Sequence, residues 1–140
     1  MTPLTYQREE EIDAEEAREL YDASTLGARR PIDDAASFRD MLRHADLLVT
    51  ARDAGRLVGL ARTLTDWSYV AYLADLAVRE SHQRRGIGRE LVRVTRAALG
   101  ARAMIVLLAA PAAVDYYPRL GFSRHPSAWI LRPGEPLADD

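Results

Sequence analysis

The stretch that decides the fold is Leu73-Ala74-Asp75-Leu76-Ala77-Val78, followed by Gln83-Arg84-Arg85-Gly86-Ile87-Gly88 and a segment running on to Leu99. The first six residues read as an apolar strand. The next six read as a tight basic turn. The last segment carries Ile87, Leu91, Val94 and Ala98 at helical spacing, with Gly100 placed to end it. A helix entered from a glycine turn presents free backbone N–H groups, and its dipole adds partial positive charge at the same end. Glycine has no Cβ, so a ligand can come close to that backbone. The construction suits an anion, best a phosphate, with Arg84, Arg85 and Arg89 adding full charges around it. The plainer alternative is a solvated helix start.

Upstream, Leu4–Arg8 alternates weakly and reads as an edge strand. Asp13 caps a helix running to about Leu26, with Ile12, Ala17, Leu20 and Tyr21 on one face and Gly27 ending it. Arg29-Arg30-Pro31 reads as a linker. Asp33 or Asp34 caps a second helix, Ala35 to His44, with Phe38, Met41 and Leu42 inward. Strands follow at Leu47–Arg52, Leu57–Thr65 and Tyr69–Val78, joined by turns at Asp53-Ala54-Gly55-Arg56 and Asp66-Trp67-Ser68. Downstream, Met104–Leu108 is continuously apolar, the pattern of a strand buried in a sheet. Pro111 stands at a helix N1 position before a short helix, Ala112 to Leu120, which Gly121 stops. Phe122–His125 and Ala128–Arg132 read as two terminal strands, and 133–140 as a loose tail. The order is β-α-α-β-β-β-α-β-α-β, an α/β (α+β) fold with a mixed sheet of about six or seven strands.

With 140 residues the chain reads as one domain, and 48% hydrophobic residues suffice for a core. The net charge of −2 argues against nucleic acid as a partner. The absence of cysteine excludes disulfides and thiol nucleophiles. His44, His82 and His125 lack ligand spacing, so no metal is expected. All 19 basic residues are arginine, so no lysine is available for Schiff-base chemistry. The N-terminus has no apolar signal-peptide core, and the longest apolar run, Met104 to Val114, is too short to span a bilayer. The expectation is a cytoplasmic protein with no membrane partner.

Gln83-x-x-Gly86-x-Gly88 after a strand ending at Val78 resembles the acyl-CoA pyrophosphate loop of the GCN5-related N-acetyltransferases (GNAT family). Asp115-Tyr116-Tyr117-Pro118-Arg119-Leu120-Gly121-Phe122 resembles a second signature of that family, and the element order matches its fold. Val58 to Arg62, Asp66, Asp75 to Val78, the loop, and Val114 to Tyr117 together resemble the plastid and cyanobacterial serotonin-type members. Ala110-Pro111 departs from the family pattern, where an asparagine that contacts the cofactor often precedes the last helix.

The resemblance implies acetyl-CoA as co-substrate and direct acyl transfer to a small primary amine. The pyrophosphate would lie on Gln83, Arg84, Arg85, Gly86, Ile87, Gly88 and Arg89, and the pantetheine would lie as an extra strand beside Leu76, Ala77 and Val78. A backbone N–H near Leu76 would polarise the thioester carbonyl. Tyr117 would protonate the leaving thiolate and contact the cofactor, since a phenol of pKa about 10 is still a donor at neutral pH. An alkylamine of pKa about 10.4 gains from a base, and Asp75 is the first candidate, with a raised pKa if buried. The other reading of Asp75 is a carboxylate satisfying a bulge or paired with Arg62. Tyr72, Asp66 and His82 are weaker candidates. Trp67, Tyr69 and Trp129 frame an aromatic acceptor pocket or simply cover the fold. A non-catalytic acyl-CoA-binding sensor and a protein N-terminal or lysine acetyltransferase are the alternative functions. A homodimer through the terminal strands is also expected from the resemblance.

Overall fold

In the computed structural model, which describes residues 3–139, five strands form one sheet in the order β1-β2-β3-β4-β5. These are β1 Leu4–Arg8, β2 Leu47–Asp53, β3 Arg56–Thr65, β4 Val70–Val78 and β5 Met104–Val106. The first four pair antiparallel and β5 joins β4 in parallel, so the sheet is mixed. The helices are α1 Ala14–Asp22, α2 Ala35–Arg43, α3 Ile87–Leu99 and the single turn α4 Tyr116–Arg119. By its contacts the chain divides into two compact units, one up to Leu108 and the other from Ala109 onward.

The helices begin where side chains satisfy their first amides. Asp13 accepts from Glu16 N–H at the start of α1, and Asp34 accepts from Ser37 N–H at the start of α2. Such caps contribute about 1 kcal/mol each. α1 and α2 cover one face of the sheet. Ala17, Leu20, Tyr21, Phe38 and Leu42 pack there with Leu48, Leu57, Leu60 and Ala77, and Tyr21 meets Phe38 edge to face with ring centroids 5.1 Å apart. α3 covers the other face. Its buried residues are Ile87, Gly88, Leu91, Val92, Thr95 and Leu99. The stripe is therefore rotated from the sequence reading: Val92 and Thr95 face inward, while Val94 is only partly covered and Ala98 is exposed. Each large apolar side chain so buried contributes roughly 1.5–3 kcal/mol.

The remaining differences concentrate at the ends of elements and in the last third of the chain. α1 stops at Asp22, and Thr25–Arg29 is a separate 3-10 turn that buries Leu26. β5 spans three residues and exposes Met104 and Val106, so it is an edge strand and not a buried one. The expected helix from Ala112 to Leu120 is a 3-10 turn at Pro111–Ala113 followed by α4. A run this short cannot sustain a longer helix with Pro118 inside it. Phe122–His125 and Ala128–Arg132 are not strands. Neither pairs with a strand among the described residues, and Pro126 cannot donate to a ladder between them. The order therefore ends at the last helix, with five strands among the described residues.

Candidate functional site

β4 pairs with β3 along almost its whole length, from Gly59 opposite Val78 to Thr65 opposite Ala71. The register slips once, where Arg62 faces Asp75 and Thr63 faces Leu73, leaving Ala74 as the extra residue of a bulge. On its other side β4 pairs with β5 only through Val70, Ala71 and Tyr72. From Leu73 to Val78 that side has no strand partner among the described residues. Amide direction alternates along a strand. Arg79 N–H donates to Val58 O on β3 at 2.8 Å, whereas Val78 O accepts from the Gln83 side-chain Nε2 at 3.0 Å. By this alternation Val78 and Leu76 direct their main-chain groups away from β3, into the unpaired side.

Beyond Val78 the chain makes a 3-10 turn, Glu80–His82, and then a bend with two left-handed residues, Arg84 at φ 64° and Gly86 at φ 79°. Gly86 is the N-cap of α3 and supplies no side-chain acceptor. The first i→i−4 bond is Glu90 N–H to Gly86 O at 3.1 Å, so the amides of Ile87, Gly88 and Arg89 have no partner within the helix. Gln83, Arg84, Arg85, Gly86 and Arg89 are exposed, while Ile87 and Gly88 are buried. A Cβ at Gly86 would meet nothing within 4 Å, so glycine is required there for its φ and not for space. The bend is open, basic and rich in amides, a geometry that could cradle an anion. Gln83 contributes by tying the bend to the end of β4.

Gly59 sets the position of this cradle. A Cβ on Gly59 would sit 3.0 Å from Leu91 Cδ1, 3.1 Å from Ile87 Cγ2 and 3.2 Å from Ala51 Cβ. The missing side chain lets the first turns of α3 lie close on β3. In the sequence Gly59 stands inside the largely apolar run Leu57–Thr65. A glycine inside an apolar strand was the signal that a close approach occurs there.

Asp75 faces α1 and α2 with its side chain 0% exposed. Its Oδ1 accepts from Arg30 Nε at 2.6 Å, and its Oδ2 accepts from the Tyr21 hydroxyl at 2.6 Å and from Arg62 Nε at 2.5 Å. Burial pushes this carboxyl up, but the charge and hydrogen bond of Arg62, the Tyr21 hydrogen bond and the charge of Arg30 together hold it below the ordinary value. Of the two sequence expectations for Asp75, the pairing with Arg62 beside a bulge is what the structure shows, and the raised pKa is not. Two arginines, one of them from the linker before α2, reverse the sign.

In the second unit, Tyr117 packs edge to face against Tyr116 and Phe122, with centroids 5.3 and 5.5 Å away. Its carbonyl accepts from Leu120 N–H and Phe122 N–H, and Gly121 turns the chain at φ 101°. Burial, with a smaller contribution from Tyr116, pushes the Tyr117 phenol up to about 12. It therefore remains a proton donor across the physiological range.

The weaker candidates have local partners. Asp66 accepts from the amides of Ser68, Tyr69 and Val70, which hold its carboxyl low. His82 Nε2 lies 2.9 Å from Asp53 Oδ2, and its Nδ1 lies 2.8 Å from Ser81 Oγ. Trp67 lies under the Arg8 guanidinium at 5.0 Å, while Tyr72 is partly and Tyr69 largely exposed. Trp129, in the second unit, is 91% exposed. A groove of about 820 Å³ between Glu10–Glu15 and α2 includes none of the loop or β4 residues among its walls. Among the described residues no three His, Asp or Glu side chains converge as metal ligands, and no helix is long and apolar enough to cross a membrane.

Residues 11–122 match the model of the acetyltransferase (GNAT) family. No protein among the curated sequences matches the chain. Several solved structures share its fold. A putative acetyltransferase from Deinococcus radiodurans R1 is 26% identical, with 95% of this chain and 94% of that one covered and a TM-score of 0.74. The GNAT family protein SP0256 from Streptococcus pneumoniae is 24% identical over 93% and 99% of the two chains, with a TM-score of 0.71. The aminoglycoside N-acetyltransferase AAC(6')-Iy, solved in complex with CoA, is 19% identical over 96% and 97%, with a TM-score of 0.72.

Proposed function

The chain belongs to the GNAT family of acetyltransferases, and from that premise we propose that it transfers the acetyl group of acetyl-CoA to a primary amine of a small molecule. The observation that carries this reading is the continuity of two features. The unpaired side of β4, with the Leu76 amide directed into it, runs straight into the open cradle capped by Gly86. One edge is fit for an extended amide-bearing arm and the other for a diphosphate.

When bound, acetyl-CoA supplies an activated thioester. The chain's own groups do the rest. Amides of Ile87, Gly88 and Arg89, with the guanidinium groups of Arg84, Arg85 and Arg89, hold the diphosphate. Main-chain groups of Leu76 and Val78 align the arm alongside Ala77. The Leu76 N–H donates to the thioester carbonyl, where negative charge develops as the amine attacks. The Tyr117 hydroxyl gives its proton to the departing sulfur. Asp75, committed to two guanidinium groups and held in its ionised form, is a weak base. We give it a positioning role, holding the bulge beside Leu76, and assign loss of the amine proton to water.

The test is thiol release. Protein, acetyl-CoA and a panel of primary amines are incubated and free CoA thiol is followed, with CoA binding measured separately by calorimetry. Turnover with at least one amine is expected. Tight CoA binding with no turnover on any amine would replace this reading with that of a sensor.

A further inference from the structure

The charges at the β4 bulge do not cancel. Asp75 carries one negative charge, Arg30 and Arg62 carry two positive ones, and the Tyr21 phenol, pushed well above its ordinary range by burial and by Asp75, stays neutral. One positive charge is left over where the side chains of Asp75, Arg62 and Arg30 are 0%, 9% and 23% exposed. Among the described residues no other carboxylate comes within 4.0 Å of either guanidinium. Charges this withdrawn from water are ordinarily compensated.

Arg30 shows where compensation would come from. It donates Nε–H to Asp75, one amino group to Ala74 O at 2.9 Å and the other to Arg29 O at 2.9 Å. A guanidinium has five N–H donors, so two remain, one on each amino nitrogen. One is on the nitrogen bonded to the carbonyl of the bulge residue, two positions before Leu76, and the other is on the nitrogen bonded to Arg29 O. Paired N–H donors in one plane match the two oxygens of a carboxylate.

Resting on the acetyl-transfer reading, we propose that Arg30 determines specificity: its remaining N–H donors take a carboxylate on the acceptor, which is therefore amino-acid-like and not a polycationic amine. Arg62 adds to the field, and one of its amino groups donates to Met41 O at 3.4 Å. A polyamine would bring like charge to a site already in surplus. An acceptor with a carboxylate completes the count.

Two arms test this. In the first, which needs no turnover, N-acetyl amino acids and their primary amides are titrated into protein with CoA. The Arg30 Nε–H resonance, identified by its loss in Arg30→Lys, is followed. The acids are expected to bind about tenfold tighter or more, the worth of a charged hydrogen bond, and to move that resonance. Equal binding of acids and amides overturns the proposal. In the second, kcat/KM for amino acids is compared with that for amino-acid amides. The native preference for acids should collapse in Arg30→Gln and partly survive in Arg30→Lys, with melting temperatures checked for both. Turnover of amines with no preference for the carboxylate sinks the Arg30 assignment alone. Absence of all turnover sinks the acetyl-transfer reading, and the first arm then still decides on Arg30.

Discussion

Asp75→Asn separates a positioning carboxylate from a catalytic base. The substitution keeps the size and one oxygen, so no cavity opens. It removes the charge that compensates Arg30 and Arg62 and replaces one of the two oxygens that accept three hydrogen bonds with a donor. Removing one partner of a buried ion pair costs about 3–5 kcal/mol. With an unfolding entropy of about 2.1 cal/mol/K per residue, a chain of 140 residues loses roughly 10–17 °C in melting temperature. The assay is a thermal melt at pH 7, repeated in acid. The folded Asp75 carboxyl titrates below its unfolded value of 3.8. Its contribution is therefore complete above that value and is lost as pH falls through the folded pKa. Native and Asp75→Asn melts should accordingly differ most near neutrality and converge as the pH falls below 3.8 and through the folded pKa. Glu9, also held low by Arg52, is common to both proteins and cancels in the comparison. A variant melting within about 2 °C of the native protein at pH 7, yet inactive, would refute this reasoning and make Asp75 the base.

Tyr117→Phe should lower kcat by 10²–10⁴-fold, the usual range for a lost proton donor, with CoA affinity unchanged by calorimetry. Because the Tyr117 phenol lies at about 12, the native rate should keep rising through pH 10 as the amine deprotonates; a fall beginning near pH 9 would count against Tyr117 as the acid. Gly86→Asp should leave a folded protein, since a Cβ there meets nothing, although the left-handed φ costs about 1–2 kcal/mol. It should lose CoA binding by at least about tenfold through added negative charge, and unimpaired binding would remove the cradle from the mechanism. Gly59→Val should cost about 1–3 kcal/mol by overpacking against Leu91 and Ile87. It should also weaken CoA binding, and a variant with native stability would mean that α3 does not rest on Gly59.

Much of this protein could be read from short stretches. The strand-turn-helix from Leu73 to Leu99, the caps at Asp13 and Asp34, and the hairpins at Asp53–Arg56 and Asp66–Ser68 are local signals, each written in a few consecutive residues. The structure follows them closely. So is the cradle, because the φ that Gly86 needs is a property of that residue and its neighbours. The last third was misread for the same reason. Apolar runs such as Ala128–Arg132 look like strands, but a strand exists only where another edge pairs with it.

Tertiary structure decided between the two readings of Asp75 and added two partners, Tyr21 and Arg30, that its own stretch did not suggest. Its own segment is apolar and points to a raised pKa, while the groups that reverse the sign lie 54, 45 and 13 positions away, at Tyr21, Arg30 and Arg62. The same holds for the rotation of α3, which brings Val92 and Thr95 inward against the sheet. Periodicity along a chain says which residues share a face. The direction of that face, and which distant charges it meets, follow from packing. A carboxylate's pKa depends on the charges within a few ångströms, and separation along the sequence does not determine those.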